Sequence, residues 1–579
     1  MCYGATCPTC SKKSWRGCGS HIPSALAGVP EDQWCSCEPR VTIDGKSYPS
    51  AAKFGVSAPS WLKNLVGGGG AEKKDVTSRS GVKYVMYLTV GNCLSSPFRA
   101  SCYICAGILM DGDSIVQTMF LSSRSWAMIL LSPLFLLSCS ALFLTIHLLR
   151  CLRSPLNKVP GPLIARYSSW ILKWHELHAN RTRYVHGLHL KYGPVVRLAP
   201  GEVAFASGRA VKEIYCSGGS GYDKTEFYDL FKVYQRRTMF TMLNKDQHAR
   251  RRRVLADRYA NSNVVRQPSL AGIAERASNF VKLCTDSRGG SLDLYSDETI
   301  MRELAFDSSL QNRLVQYYSP FLHNLIARVL YLFAKPRETP LADHFVLDTS
   351  AKSGSDSFTL LSRLHEKSSE LDSWDVAAEC LDHMAAGIDT TGDGLCFLMW
   401  ELSKPSSLHI QRRLQQELLD NPDAPFDELT YLDAVVKEGL RCFPPIPMSL
   451  PRYVPCGGRT IDGFYLPEGT IASCQAYSVH RVEQDIFPEP DTFNPDRWLE
   501  KEGDAERKRL FFAFASGGRG CVGKHLALAE MKLLLRDVYS SFSTLPDHSM
   551  TPRSMEMSDQ LISSRPLGEK CLLKFSPVE

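Results

Sequence analysis

The sequence predicts a mainly α-helical protein with small β-sheets, preceded by a single transmembrane helix, and three observations carry that prediction. Residues 126–149, WAMILLSPLFLLSCSALFLTIHLL, run for 24 positions without Asp, Glu, Lys or Arg. Residues 374–402 repeat apolar side chains every three to four positions, the period of a helix with one buried face. Strand-like pieces are short, the clearest being 193–198 and 202–205. The 579 residues are 44% hydrophobic and 22% charged, which excludes a disordered or collagen-like chain. A net charge of +6, from 67 Lys+Arg against 61 Asp+Glu, argues against a nucleic-acid binder held by one strong basic field.

The uncharged run would extend roughly 36 Å as a helix, enough to cross a bilayer. Arg150, Arg153 and Lys158 follow it, whereas Asp111, Asp113 and Arg124 precede it. That asymmetry predicts a single pass with the large downstream region in the cytosol. Val159-Pro160-Gly161-Pro162 cannot continue the helix, so a hinge is expected between anchor and globular part. The expected division is a Cys-rich extension over 1–118, an anchor over 119–153 and a catalytic domain over 154–579.

Nine of the twenty cysteines fall before residue 106, and four of them form the Cys7/Cys10 and Cys102/Cys105 pairs. A chain this long has no need of a uniform disulfide scaffold. Three readings of 1–118 stand in order: a translated stretch that the mature protein lacks, a disordered extension, and a small metal-binding module. Met110, Met119 or Met128 would each open a chain at or just before the anchor. Two pairs more than ninety residues apart are weak grounds for a zinc site.

Beyond 163, Gly193–Leu198 and Glu202–Phe205, joined through Pro200-Gly201, read as a hairpin. The 374–402 helix should be capped by Asp372 or Ser373. In its middle, Ala386-Gly387-Ile388-Asp389-Thr390-Thr391 sets an acid beside two hydroxyls; either they serve chemistry or the threonines bond back to carbonyls four residues earlier. There is no GxGxxG fingerprint, P-loop or internal repeat, so any electron donor must be a separate protein.

The most informative stretch is Phe514-Ala-Ser-Gly517-Gly-Arg519-Gly520-Cys521-Val-Gly523, which opens a helix. A cysteine there meets backbone N–H donors and the positive end of a helix dipole, so Cys521 reads as built to be an anion. Gly517, Gly520 and Gly523 would let the backbone approach a flat, bulky group, and Arg519 could pair with a carboxylate of it. Such a group suggests haem.

Phe-x-x-Gly-x-Arg-x-Cys-x-Gly resembles the haem-thiolate signature of the cytochrome P450 monooxygenases, and the likeness runs from Pro160 to the end with its motifs in family order. It implies a cytochrome P450 fold and haem b, with Cys521 as axial thiolate ligand of the iron and Phe514, Arg519 and Gly523 in the cofactor cradle. It also implies that Thr390 holds the oxygen ligand and its water while Asp389 feeds protons, with Thr391 in support. Glu438 and Arg441, three apart on one helix, would be joined by Arg497 of Phe493-Asn-Pro-Asp-Arg497-Trp498 in a structural network. His248 and Arg252, in His-Ala-Arg-Arg-Arg-Arg, and Arg452 match propionate-binding positions. The remaining arginines of that run are either a solvated face or a docking surface for an acidic reductase. By family position Ile388, Ala385, Ile446–Leu450 and Leu561-Ile562 border the substrate chamber.

The resemblance therefore implies a monooxygenase that inserts one atom of dioxygen into a lipophilic small molecule. Its partners would be NADPH-cytochrome P450 reductase and the endoplasmic reticulum membrane, with no nucleic acid. The arginine run after His248 and the tryptophan after Arg497 resemble filamentous-fungal members and lean towards secondary metabolism. Between Asp307 and Trp374 the chain is shorter than the family's chamber lid. Two alternatives follow: a haem-thiolate isomerase or dehydratase, which the Asp389-Thr390 pair argues against, and a non-catalytic haem-binding protein with an incomplete lid.

Overall fold

Short hairpins form at the start of the chain. In this computed structural model β1 (Tyr3–Thr6) pairs antiparallel with β2 (Lys13–Arg16), and β3 (Val41–Ile43) with β4 (Lys46–Tyr48). A 3-10 turn, Glu31–Gln33, delivers Trp34 to a parallel bridge with Lys13, and the Trp34 ring stacks on Tyr48 at 5.4 Å. The structure describes residues 132–578 except 217–220, 296–309, 331–339, 352–358 and 367–370, and before these 3–6, 10, 12–16, 23, 26, 29–37, 41–43 and 46–49. The candidate start methionines, Cys7, Cys102, Cys105, residues 126–131 of the expected span and Asp307 lie outside the described residues. The chain divides into two units, 1–109 and 110–579.

In the second unit, α1 (Pro133–Leu152) starts with proline in the first turn, where a missing N–H costs nothing. Ser132 caps it by accepting a hydrogen bond from the Phe135 N–H at 3.2 Å. The helix spans about 30 Å, with a mean hydropathy of 1.9 and nearly every side chain exposed, so it is long and apolar enough to cross a membrane. Its end at Leu152 lies beyond the uncharged run, which stops at 149, and Arg150 sits in the last turn, where a cation suits the helix dipole.

The hinge expected after the anchor is instead a packed junction. Asn157 Nδ2 donates to the Cys151 and Leu152 carbonyls at 2.9 and 2.8 Å, closing the helix end. Arg197, on β5 (Val195–Ala199), reaches Asn157 Oδ1 at 2.8 Å, and its backbone N–H donates to the Pro160 carbonyl at 2.8 Å. Leu156 and Val159 are buried beside them. Proline stiffens the segment as expected, but hydrogen bonds to the sheet also hold it.

β5 and β6 (Glu202–Phe205) form the expected hairpin, with a register shift between Arg197 and Ala199. β7 (Asp223–Lys224), β8 (Arg452–Tyr453) and β9 (Ile471–Cys474) complete a five-stranded sheet in the order β5-β6-β9-β8-β7. Helices dominate the rest. α2 (Lys245–Leu255) is capped by Asn244, whose side chain accepts from the Asp246 and Gln247 N–H groups. α3 (Ser373–Ser403), capped by Asp372, crosses the molecule and packs its C-terminal half on α4 (Thr430–Cys442) and α5 (Lys524–Tyr539). Phe397, Leu398, Leu402, Val435, Leu440, Met531 and Leu535 form that core. Gly439 is required there, because a Cβ would stand 2.7 Å from the nearest Leu398 methyl. A second core, with Phe205, Phe487, Trp498 and Phe512, lies against the sheet. Between 310 and 366 the described chain forms four helices of at most 12 residues.

Candidate active site

The middle of α3 does not pack as its apolar period suggests. Ala385, Ala386, Gly387, Asp389 and Thr390 line a cavity of about 580 Å³, faced by Phe514, Arg519, Gly520, Cys521 and Gly523 of the glycine loop. Small residues on α3 leave the space between helix and loop open. Ala385, Ile446, Leu450, Leu561 and Ile562 stand on the cavity wall. Ile388 does not, because it follows Gly387 by about 100° around the helix and turns away from the wall.

The loop closes through backbone bonds: the Cys521 N–H donates to the Phe514 carbonyl at 2.9 Å and the Gly520 N–H to Gly517 at 3.0 Å. Gly517 has φ +70°, and a Cβ there would overlap the Tyr215 carbonyl oxygen. Its lack of a side chain thus serves the seating of the loop on the chain at Tyr215, not the approach of a cofactor. Burial raises the Cys521 thiol, opposed by the Gly523 N–H, Arg252 and the Lys524 N–H. The sulfur is exposed only in the sense that it opens into the cavity. A metal cation bound at the sulfur would favour the thiolate that the sequence expects there.

Beside the loop the cavity gathers positive charge. Lys224, His248, Arg252, Arg452 and Arg519 all line it. Burial, then Lys224 and the three arginines, pushes His248 down to about 3. Burial and the other arginines likewise lower Arg519 to about 10 and Lys224 well below its usual range. Arg452 donates to Tyr228 OH at 2.8 Å, and Arg252 to the Gly520 carbonyl at 2.5 Å. Arg519 donates to Asp223 at 3.3 Å and the Leu243 carbonyl at 3.0 Å, but its Nε and Nη1 are buried with no hydrogen-bond partner among the described residues. Crowded buried cations with unmet donors call for anionic acceptors. The two propionates of haem b, on a flat macrocycle reaching Cys521, fit that demand and the open space beside it. Replacing Arg519 by Leu should cut haem affinity roughly 10- to 100-fold, since a charge-assisted bond is lost. It should leave the haem-free protein no less stable, as repulsion is relieved. A haem-to-protein ratio by pyridine haemochrome, together with melting of both forms, checks this.

On α3, burial raises Asp389 to about 6. Thr390 Oγ1 donates to the Ala386 carbonyl at 2.7 Å, the back-bond that the sequence left as an alternative, while its oxygen lone pairs remain open to the cavity. Asp393, one turn further along, is held well above the usual carboxylate range by burial and by Asp389.

Behind the loop, Glu438 is fully buried and accepts from Arg441 Nε and Nη2 at 2.8 and 2.9 Å, Arg497 Nε at 3.0 Å, the Asn494 N–H at 3.0 Å and Trp498 Nε1 at 2.9 Å. Trp498 was legible only as a neighbour of Arg497. His480 was not legible at all: its Nδ1 donates to the Arg441 carbonyl at 3.0 Å and its Nε2 accepts from the Phe512 N–H at 2.8 Å, so it ties this network to the start of the loop. Burial holds it neutral, at about 3. Arg251 leaves the supposed docking face, because it pairs at 2.6 Å with fully buried Glu379; Arg250 and Arg253 remain exposed.

Residues 310–572 match the family model described as cytochrome P450, and residues 1–45 match a second model, described as a domain of unknown function (DUF8730). The chain is similar to the cytochrome P450 monooxygenase stcB of Emericella nidulans, 28% identical over 73% of this chain and 89% of the relative. It is likewise 28% identical to the cytochrome P450 monooxygenase aflV of Aspergillus parasiticus, over 73% and 92% of the two chains. The monooxygenase orf2 of Aspergillus niger is 29% identical over 68% and 87%.

Proposed function

The chain carries a cytochrome P450 domain, and on that premise we propose that it is a membrane-anchored haem-thiolate monooxygenase of fungal secondary metabolism, acting on a lipophilic small molecule. The observation that supports this reading most is the pairing of one cavity-facing cysteine with a buried cationic cluster whose Arg519 has unmet donors, across a cavity lined by small residues of α3. Haem b bound through a cysteine thiolate would supply reductive activation of dioxygen and transfer of one oxygen atom. Cys521 would hold that group from the loop side, and Arg252, Arg452 and Arg519, with His248 as a neutral donor, would hold its carboxylates. Phe514 and Gly523 shape the face around the sulfur.

Protons reach the cavity through α3. Asp389, with its carboxyl near 6, carries a proton for part of the time at neutral pH and can give it to a water in the cavity, which Thr390 Oγ1 orients by accepting a hydrogen bond while its own hydrogen bonds the Ala386 carbonyl. A donor with this value empties as the pH rises through 6, so turnover should fall in that direction. Asp389→Asn should lower turnover by about 10²- to 10⁴-fold, the range for loss of a general acid, and remove that limb of the pH profile. An unchanged profile would dismiss Asp389 as the donor.

Electrons come from an NADPH-dependent flavoprotein reductase on the same membrane, with α1 as single-pass anchor, the catalytic unit in the cytosol and the endoplasmic reticulum as location. Arg250 and Arg253 are the exposed cations of α2 available to an acidic partner. The test is turnover in membranes with reductase, NADPH and isotopically labelled dioxygen. Product carrying one labelled oxygen supports a monooxygenase, whereas product formed without NADPH would mean isomerase or dehydratase chemistry. Haem binding without substrate-dependent NADPH use, over a broad panel of lipophilic compounds, would favour a non-catalytic haem protein.

A further inference from the structure

The catalytic unit makes no use of the cysteines at the start of the chain, and the fold gathers three of them. Cys10 stands in the reversal between β1 and β2, while Cys35 and Cys37 follow the Glu31–Gln33 turn. The Trp34–Lys13 bridge and a hydrogen bond from the Cys35 N–H to the Lys13 carbonyl, 2.7 Å, fold the second segment back onto the hairpin. The three sulfurs then lie within 4.8 Å of one another, with Cys10 Sγ 3.3 Å from Cys35 Sγ. The Cys37 N–H points at Cys35 Sγ, 3.4 Å away, as a donor that would stabilise a thiolate. Cys35 is fully buried and the other two are half-buried.

We propose that Cys10, Cys35 and Cys37 bind a structural zinc ion as thiolates. Three converging sulfurs exceed what one disulfide can use, and thiolates at about 2.3 Å from a tetrahedral ion stand roughly 3.8 Å apart, within the span found here. Thiolate-rich, tetrahedral sites favour zinc over the hard, oxygen-seeking cations. The unit also needs such a staple: its described core is little more than Leu26, Trp34, Cys35 and Tyr48, and a module of the 45 residues that the second family model covers rarely folds on apolar burial alone. Three sulfurs leave one position of a tetrahedral ion for a further donor. Metal binding releases the thiol protons and involves no redox change. Cys35 and Cys37 join Cys10 only because folding brings them near; Cys7, Cys102 and Cys105 lie outside the described residues.

The proposed single-pass orientation would place this unit on the side opposite the cytosol, where a Cys10–Cys35 disulfide competes. The experiment therefore uses the full chain, expressed with added zinc and purified without reductant or chelator. Zinc and iron are counted by mass spectrometry of the elements, and thiols by peptide mapping. The expected result is one zinc per chain, independent of haem content, lost in the C35S/C37S double variant while the haem spectrum is unchanged. The zinc X-ray absorption edge of the unmutated chain should show a sulfur shell near 2.3 Å, a readout that survives even if the variant misfolds. Zinc-free protein, zinc retained by the double variant, an oxygen and nitrogen shell, or a Cys10–Cys35 disulfide would each overturn the proposal.

Discussion

Cys521→Ala should abolish both the strongly red-shifted Soret band of the reduced, carbon monoxide-bound protein and all turnover, while leaving the fold in place. Among the described residues Cys521 is the only cysteine lining the cavity; the thioether and imidazole groups there are Met239, Met531, His248 and His383. None can supply a thiolate. His248 is neutral and committed to the cationic cluster, and His383 is engaged by Tyr259 OH at 2.6 Å. Any haem the variant retains must therefore take a neutral ligand or water, and the band must move back towards the blue. The Cys521 sulfur looks into the cavity and loses only its contacts with the Gly523 and Lys524 N–H groups and with Arg252, while the loop is closed by the Cys521 backbone N–H, which alanine keeps. Melting of the haem-free variant should accordingly match that of the haem-free parent. A thiolate-type band persisting in Cys521→Ala would assign the ligand to another sulfur and remove the basis of the proposed chemistry.

The loop could be read from sequence because its function is local: ten consecutive residues contain the sulfur, its turn and its helix start. Asp372 as a cap and the β5–β6 hairpin were legible for the same reason. What remained hidden depends on chain segments far apart in sequence. His480 connects α4 to Phe512 over 32 residues, and nothing in a lone buried histidine distinguishes it from any other. Lys224 joins the cationic cluster only because β7 pairs with β8 beside Arg452. Arg251 looked like surface charge until α3 supplied Glu379. Gly517 invited a cofactor explanation, yet the constraint on it comes from the Tyr215 carbonyl, three hundred residues earlier. Periodicity also misled over the middle of α3, since a helix wall facing a cavity carries the same small and apolar residues as one facing a core. The turn-away of Ile388 follows from helix phase, which a three-to-four spacing does not fix to the nearest residue.

The second large effect belongs to Glu438, and it should appear as stability. Five donors converge on its two oxygens, and Arg441 and Arg497 spend their remaining N–H groups on the carbonyls of His480, Pro488, Pro490 and Thr492. Burial alone would raise this carboxyl, but Arg441, Arg497 and the Asn494 N–H together hold it below the usual range. Glu438→Gln keeps the shape and removes the charge, leaving two buried guanidinium groups uncompensated and turning an amide N–H₂ towards donors. Breaking such a pair from one side costs about 3–5 kcal/mol, far more than the few tenths assigned to an exposed Glu-x-x-Arg pair. Trp498→Phe, which removes one charge-assisted bond and leaves the ions paired, should cost about 1.5–3 kcal/mol. The sign with pH follows from the lowered carboxyl: its contribution is complete above the ordinary glutamate value and disappears as the pH falls through the depressed one. Denaturant unfolding of parent and variants, followed by far-ultraviolet circular dichroism and haem release, measures all three. Because His480 carries the network to Phe512, haem should leave Glu438→Gln at denaturant concentrations where the parent still holds it. Equal midpoints for parent and Glu438→Gln would mean that the two arginines find their counter-charge elsewhere.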